Sequence, residues 1–119
     1  MLGFYSLIQY QPNALREEGA NVGVLLYTTD AGTWVKFSRN LEAVKRYFGA
    51  PLDTRRFELA LEAMRARIEE ESTAWKGVND LKSFTLKEVN SLVLRPPRST
   101  RFDDPQVELQ RLYESRISL

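Results

Sequence analysis

Residues 16–27 read Arg16-Glu17-Glu18-Gly19-Ala20-Asn21-Val22-Gly23-Val24-Leu25-Leu26-Tyr27, a charged stretch running directly into the most apolar segment of the chain. Val22–Tyr27 is apolar on both alternations, with Val22, Val24 and Leu26 set against Leu25 and Tyr27. That pattern predicts a central strand covered on both faces. Upstream, residues 3–10 have the aromatic and aliphatic content of a strand, Phe4, Ser6, Ile8 and Tyr10 facing one way and Tyr5, Leu7 and Gln9 the other. Pro12 is expected to end it, with a loop from Asn13 through Ala20. Such a loop is longer than a tight hairpin needs, which marks it as a place for function. Downstream, Asp30-Ala31-Gly32 carries turn chemistry and residues 34–38 alternate as a third strand of an antiparallel meander.

The period then changes. Leu41, Val44, Tyr47 and Phe48 recur at helical spacing after an Asn40 cap, and Gly49 and Pro51 stop the segment. A longer helix follows from Asp53 or Thr54, with Phe57, Leu61, Met64 and Ile68 as its apolar stripe. Between residues 72 and 88 no period dominates, so the span reads as mixed, with Trp75, Leu81, Phe84 and Leu86 as anchors. Residues 91–94 read as a fourth strand stopped by Pro96-Pro97. Asp104-Pro105 is a capping carboxylate followed by proline at the first helical position, opening a last helix with Leu109, Leu112 and Tyr113 inward. Arg111 and Arg116 lie toward its C-terminal end, where the helix dipole favours cations. The expectation is one α+β domain over residues 1–119: a small antiparallel sheet of about four strands with three or so helices packed mainly on one face.

Composition narrows the chemistry. The 119 residues are 43% hydrophobic and 28% charged, a globular balance. Net charge is +1, so no global field announces nucleic acid or a membrane. Cysteine and histidine are both absent, which excludes disulfides, thiol nucleophiles, Cys/His zinc sites and every His-dependent triad. No basic n-region with an apolar h-region opens the chain and no run reaches a membrane span, so a cytoplasmic compartment is expected. No cofactor is expected.

Two groups of residues are candidates for binding. At the mouth of the apolar strand stand Arg16, Glu18, Asn21 and Gly23. Arginine there can grip a phosphate or carboxylate while Glu18 and Asn21 bind a hydroxyl, amide or ion. The alternative is that Arg16 and Glu18 pair with each other and Asn21 ties down backbone. Gly23 in mid-strand calls for a close neighbour, with the rings of Tyr5, Trp34 and Phe37 as candidates. The second group is the basic connector Arg95, Arg98, Arg101 and Phe102, which can contact phosphates and stack a base, or can be a solvated link paired to nearby acids. Asp103 and Asp104 with Glu18 are a weak magnesium set, because helix capping already explains Asp104. No catalytic residue and no metal ligand is assigned.

The chain also resembles a known family at both ends. Phe4-Tyr5-Ser6-Leu7-Ile8-Gln9-Tyr10-Gln11-Pro12, then Arg16, Glu18 and Asn21-Val22-Gly23-Val24, resemble the opening of the bacterial DUF3037 family. Ser91-Leu92, Pro96-Pro97-Arg98, Asp104-Pro105, Glu108-Leu109 and Leu112-Tyr113 resemble its closing segment. Glu17 and Gly19 depart from the family pattern. The resemblance implies a domain of unknown function, with members encoded beside HipA-like kinase-type neighbours. The reading is therefore a non-catalytic binding or accessory domain acting through a protein partner. Two alternatives stand beside it: a nucleic-acid-binding protein using Arg95–Arg101, and a small magnesium-dependent hydrolase or nuclease using Arg16, Glu18 and Asn21.

Overall fold

The structure, a computed structural model, describes residues 1–13, 18–49, 52–87, 91–117 and 119, with backbone alone at Asn13 and Glu18. Its centre is a five-stranded antiparallel sheet. Strand β1 (Leu2–Asn13) pairs with β2 (Glu18–Thr28), and β2 pairs with β3 (Gly32–Phe37). Along its other side β1 takes two short strands in turn, β4 (Leu92–Leu94) and β5 (Arg98–Arg101). Strand β1 continues past Pro12 and pairs as far as Asn13↔Glu18, so strand takes up both ends of the expected loop. Pro12, which has no N–H to donate, falls within a register shift between Tyr10 and Asn13. Arg16 and Glu17 lie outside the described residues, as does Pro51.

The helices are α1 (Leu41–Phe48), α2 (Thr54–Glu71), α3 (Val78–Thr85) and α4 (Pro105–Arg116), with a short 3-10 turn at Ser72–Ala74. Their starts follow the side chains available. The Asn40 carboxamide oxygen accepts from Ala43 N–H at 3.1 Å, and the Asp53 carboxylate accepts from Arg56 N–H at 3.1 Å. Asp104 accepts from both Gln106 and Val107 N–H, with Pro105 at the first position. Gly49 ends α1 at φ 83, a left-handed conformation that suits glycine.

Helices α1, α2 and α3 cover one face of the sheet. There Phe57, Ala60, Met64 and Ile68 of α2 and Leu81 and Phe84 of α3 pack on Ile8, Tyr10, Leu25 and Tyr27. Ala60 takes the inner place expected for Leu61, which is half-buried. Among the described residues helix α4 alone lies on the second face, over β2 and β3, where Leu109 and Leu112 meet Tyr5, Val24 and Leu26. Among the described residues no helix is long and apolar enough to cross a membrane.

Three expectations need correction. Val22 belongs with Leu25 and Tyr27, not with Val24 and Leu26. The pairing steps from Ile8↔Gly23 to Gln9↔Asn21, so Val22 is an additional residue, and each bulge of one residue swaps the faces beyond it. Leu86, expected as an anchor of the mixed span, is exposed just past the end of α3, a helix too short to establish a period. The 95–102 connector contains strand β5, polar because it lies at the sheet edge and is held to β1 by backbone bonds.

Candidate anion-binding cleft

Two irregularities of one residue each build a cleft on the second face. The bulge at Val22 is the first. Without it Asn21 would share the parity of Leu25 and Tyr27 and point under the three helices; with it, Asn21 stands beside Gln9 on the α4 side. The second lies between β4 and β5. Ile8 pairs with Leu94 but Tyr5 pairs with Arg98, so one extra residue is accommodated at Pro96-Pro97. Neither proline can donate to the ladder, which explains why the strand breaks there. Arg95, whose N–H donates to the Leu7 carbonyl at 2.8 Å, and Arg98 would face opposite ways in a regular strand. The extra residue brings both to the side of Tyr5 and Leu7.

The result is a cleft of about 360 Å³. Tyr5, Leu7 and Gln9 of β1 form its floor, with Leu7 and Gln9 half-buried because α4 lies mainly over β2 and β3. Asn21 forms one side, and Arg95 to Arg98 the other. Arg116, from the last turn of α4, completes it. A chain of amides sets this geometry. Gln11 donates to the Gln9 carboxamide oxygen at 3.2 Å, Gln9 donates to Asn21 at 3.0 Å, and Asn21 donates to the Arg116 carbonyl at 3.2 Å. That carbonyl belongs to the set a helix end leaves without an internal partner. Asn21 thus fastens the end of α4 to the sheet and delivers the Arg116 side chain to the cleft.

Arg95, Arg98 and Arg116 are all exposed, and among the described residues none is in an ion pair. The described lining includes no carboxylate. Three guanidiniums around an apolar floor with amides at one side suit a carboxylate or phosphate, which a planar guanidinium grips with two parallel hydrogen bonds. Behind the cleft, Glu108 is buried at 4% exposure and braces β5 to α4. Arg111 donates twice to it at 2.7 Å, and the Thr100 hydroxyl donates as well. The Arg111 guanidinium, helped by Thr100 and opposed by burial, holds the Glu108 carboxyl below the usual glutamate range.

The sequence candidates are divided by this arrangement. Asn21, Arg95 and Arg98 come together in the cleft. Arg16 and the Glu18 side chain lie outside the described residues. Gly23 faces the other core, where a Cβ would meet the Phe37 ring at 2.5 Å. Arg101 pairs with Leu2, on the face opposite Arg98. Phe102 packs into the second core, its ring over Gly3. Gln9 and Arg116 are not among the sequence candidates. A signal existed for Arg116: Leu109, Leu112, Tyr113 and Arg116 fall at i, i+3, i+4 and i+7, which puts an arginine on the apolar stripe. For Gln9 the signal was a polar residue continuing the Tyr5 and Leu7 alternation.

Fold and cleft together define a class: a small α+β domain whose open antiparallel sheet is heavily covered on one face and carries a basic cleft on the other. Within it, the chain belongs to the family described as Protein of unknown function (DUF3037), which matches residues 5–117. No curated protein and no solved structure matches the chain.

Proposed function

We propose that this is a non-catalytic binding domain acting in the bacterial cytoplasm through a protein partner, whose carboxylate or phosphate group enters the arginine cleft. The observation that carries the reading is the convergence of Arg95, Arg98 and Arg116 from separate elements beside Gln9 and Asn21. Arginines that merely solubilise a surface need no shared concavity. Each of two register irregularities costs ladder hydrogen bonds, and each turns a polar side chain toward this one place. A HipA-like kinase-type neighbour is the first partner to examine.

The nucleic-acid reading relied on Arg95, Arg98, Arg101 and Phe102 as one strip. It loses support because Arg101 faces away and the Phe102 ring is packed against Gly3, which withdraws it from the strip. The hydrolase or nuclease reading gains none from this cleft, whose described lining holds no carboxylate to bind magnesium.

The test is recovery of the native complex with wild-type protein and with an Arg95→Gln, Arg98→Gln, Arg116→Gln variant. Wild type is expected to retain a partner that the variant loses while remaining folded. Wild-type protein isolated alone and monomeric from every native preparation overturns the proposal. Retention of the same partner by the variant moves the interface off the cleft.

A further inference from the structure

A second surface runs along the free edge of β3. Val35, Lys36 and Phe37 are consecutive in that strand, yet all three line one cleft of about 490 Å³. Successive strand residues point to opposite faces, so a cleft reached by three in a row lies along the backbone edge. It continues past Phe37 into an adjoining space of about 270 Å³ reached by Ser38 and Arg39. Arg65 of α2 walls it from one face of the sheet and Tyr113 of α4 from the other. Apart from the ladder to β2, the backbone of Thr33–Phe37 makes no hydrogen bond among the described residues. The groove therefore has a floor of unpaired donors and acceptors between two helical walls.

The charged side chains lining the larger groove are all cationic. Lys36, Arg39 and Arg65 border it, and among the described residues none is in an ion pair. Arg65 lies 5.2 Å from the centre of the Phe37 ring, and the Lys36 ammonium 4.7 Å from that of Tyr113 while it bonds the Gln110 carboxamide. Rings and amide thus hold two of the three cations in place without neutralising them. Glu58 and Glu62 line the smaller adjoining space, which they share with Arg39 and Arg65, and not the main groove.

We infer that this groove accepts an extended acidic segment of a partner protein as a sixth strand on β3, main chain to main chain, with its carboxylates against Lys36, Arg39 and Arg65. Strand addition supplies directional hydrogen bonds, and side chains beside the edge select the sequence. A second copy of this chain is a poorer occupant, because it would bring its own Lys36, Arg39 and Arg65 against the same three. The surface is separate from the arginine cleft and stands whether or not that cleft binds an anion.

The experiment uses a capped peptide of alternating glutamate and threonine, about eight residues to span a strand. Its partner is the same peptide methylated on every peptide nitrogen, which keeps the charges and removes the donors. The first peptide should bind and protect amide protons of β3 from exchange. Methylation should weaken binding at least about ten-fold. Lys36→Gln with Arg65→Gln should also weaken it, and a lysine-threonine peptide should not bind. Equal binding of the methylated peptide overturns the inference, as does protection confined to the β1–β5 side. Protection of β3 that rises with protein concentration alone, without peptide, assigns the edge to a second copy. Tighter binding of a single-stranded oligonucleotide at the same amides likewise overturns it.

Discussion

On one face of the sheet three helices bury Phe57, Met64, Ile68, Leu81 and Phe84 against β1, β2 and β4; on the other, a single helix lies over β2 and β3 and leaves Leu7 and Gln9 of β1 only half-buried beside the arginines. The difference is a division of labour between stability and exposure. Fully burying a large apolar side chain contributes about 1.5–3 kcal/mol, and the first face holds most such residues. The thinly covered face can therefore leave a polar cleft open at small cost to the fold. A site beneath three helices would need every polar group paired.

Truncation of one buried side chain on each face separates their contributions most directly. Phe57→Ala should cost about 4 kcal/mol and Leu112→Ala about 3 kcal/mol in urea unfolding. Equal losses, or a larger one at Leu112, would remove the claim that the three-helix face dominates. Next comes Gly23→Ala, whose new methyl meets the Phe37 ring at 2.5 Å and the Lys36 carbonyl at 3.1 Å. A loss of about 2 kcal/mol is expected from overpacking the first core, and unchanged stability would sink that account.

Glu108→Gln addresses the second face and should cost about 1.5 kcal/mol near neutral pH. Its pH dependence has a definite sign. The folded carboxyl titrates lower than the unfolded one, so its contribution is complete above the unfolded value of about 4.3. It fades as the pH falls through the depressed folded value. Wild-type and variant curves should therefore converge in acid, and a gap that stays constant would contradict the assignment. Smallest of all is the change in stability from the triple arginine substitution, within about 0.5 kcal/mol. The backbone carbonyl that Asn21 holds survives in that variant, so lost binding with kept stability would separate the two roles.

Much of the framework was legible in the sequence. The β1–β2–β3 meander, the long stripe of α2, the caps at Asn40, Asp53 and Asp104, and the family likeness all rest on local pattern. The cleft was legible only in pieces, since Asn21, Arg95 and Arg98 were candidates in two separate groups. What joined them is register, and register depends on which residue a partner strand skips. Strict alternation puts Asn21 on the wrong face and splits Arg95 from Arg98; Val22 and the Pro96-Pro97 pair undo both errors. Strand β5 was hidden because Arg98-Ser99-Thr100-Arg101 has no apolar alternation to reveal it.

Pro96-Pro97 has one more consequence, which concerns growth rather than recognition. A sheet polymerises edge to edge only if each unit offers two compatible borders, one to join and one to extend. Here the border formed by β4 and β5 is cut into runs of three and four residues by two positions without N–H groups. Whatever strand β3 accepts, the opposite border offers no matching ladder to the next unit. Addition at β3 is therefore self-limiting: it closes an assembly after one step, where an unbroken strand over residues 92–101 would have let it run on into a fibre.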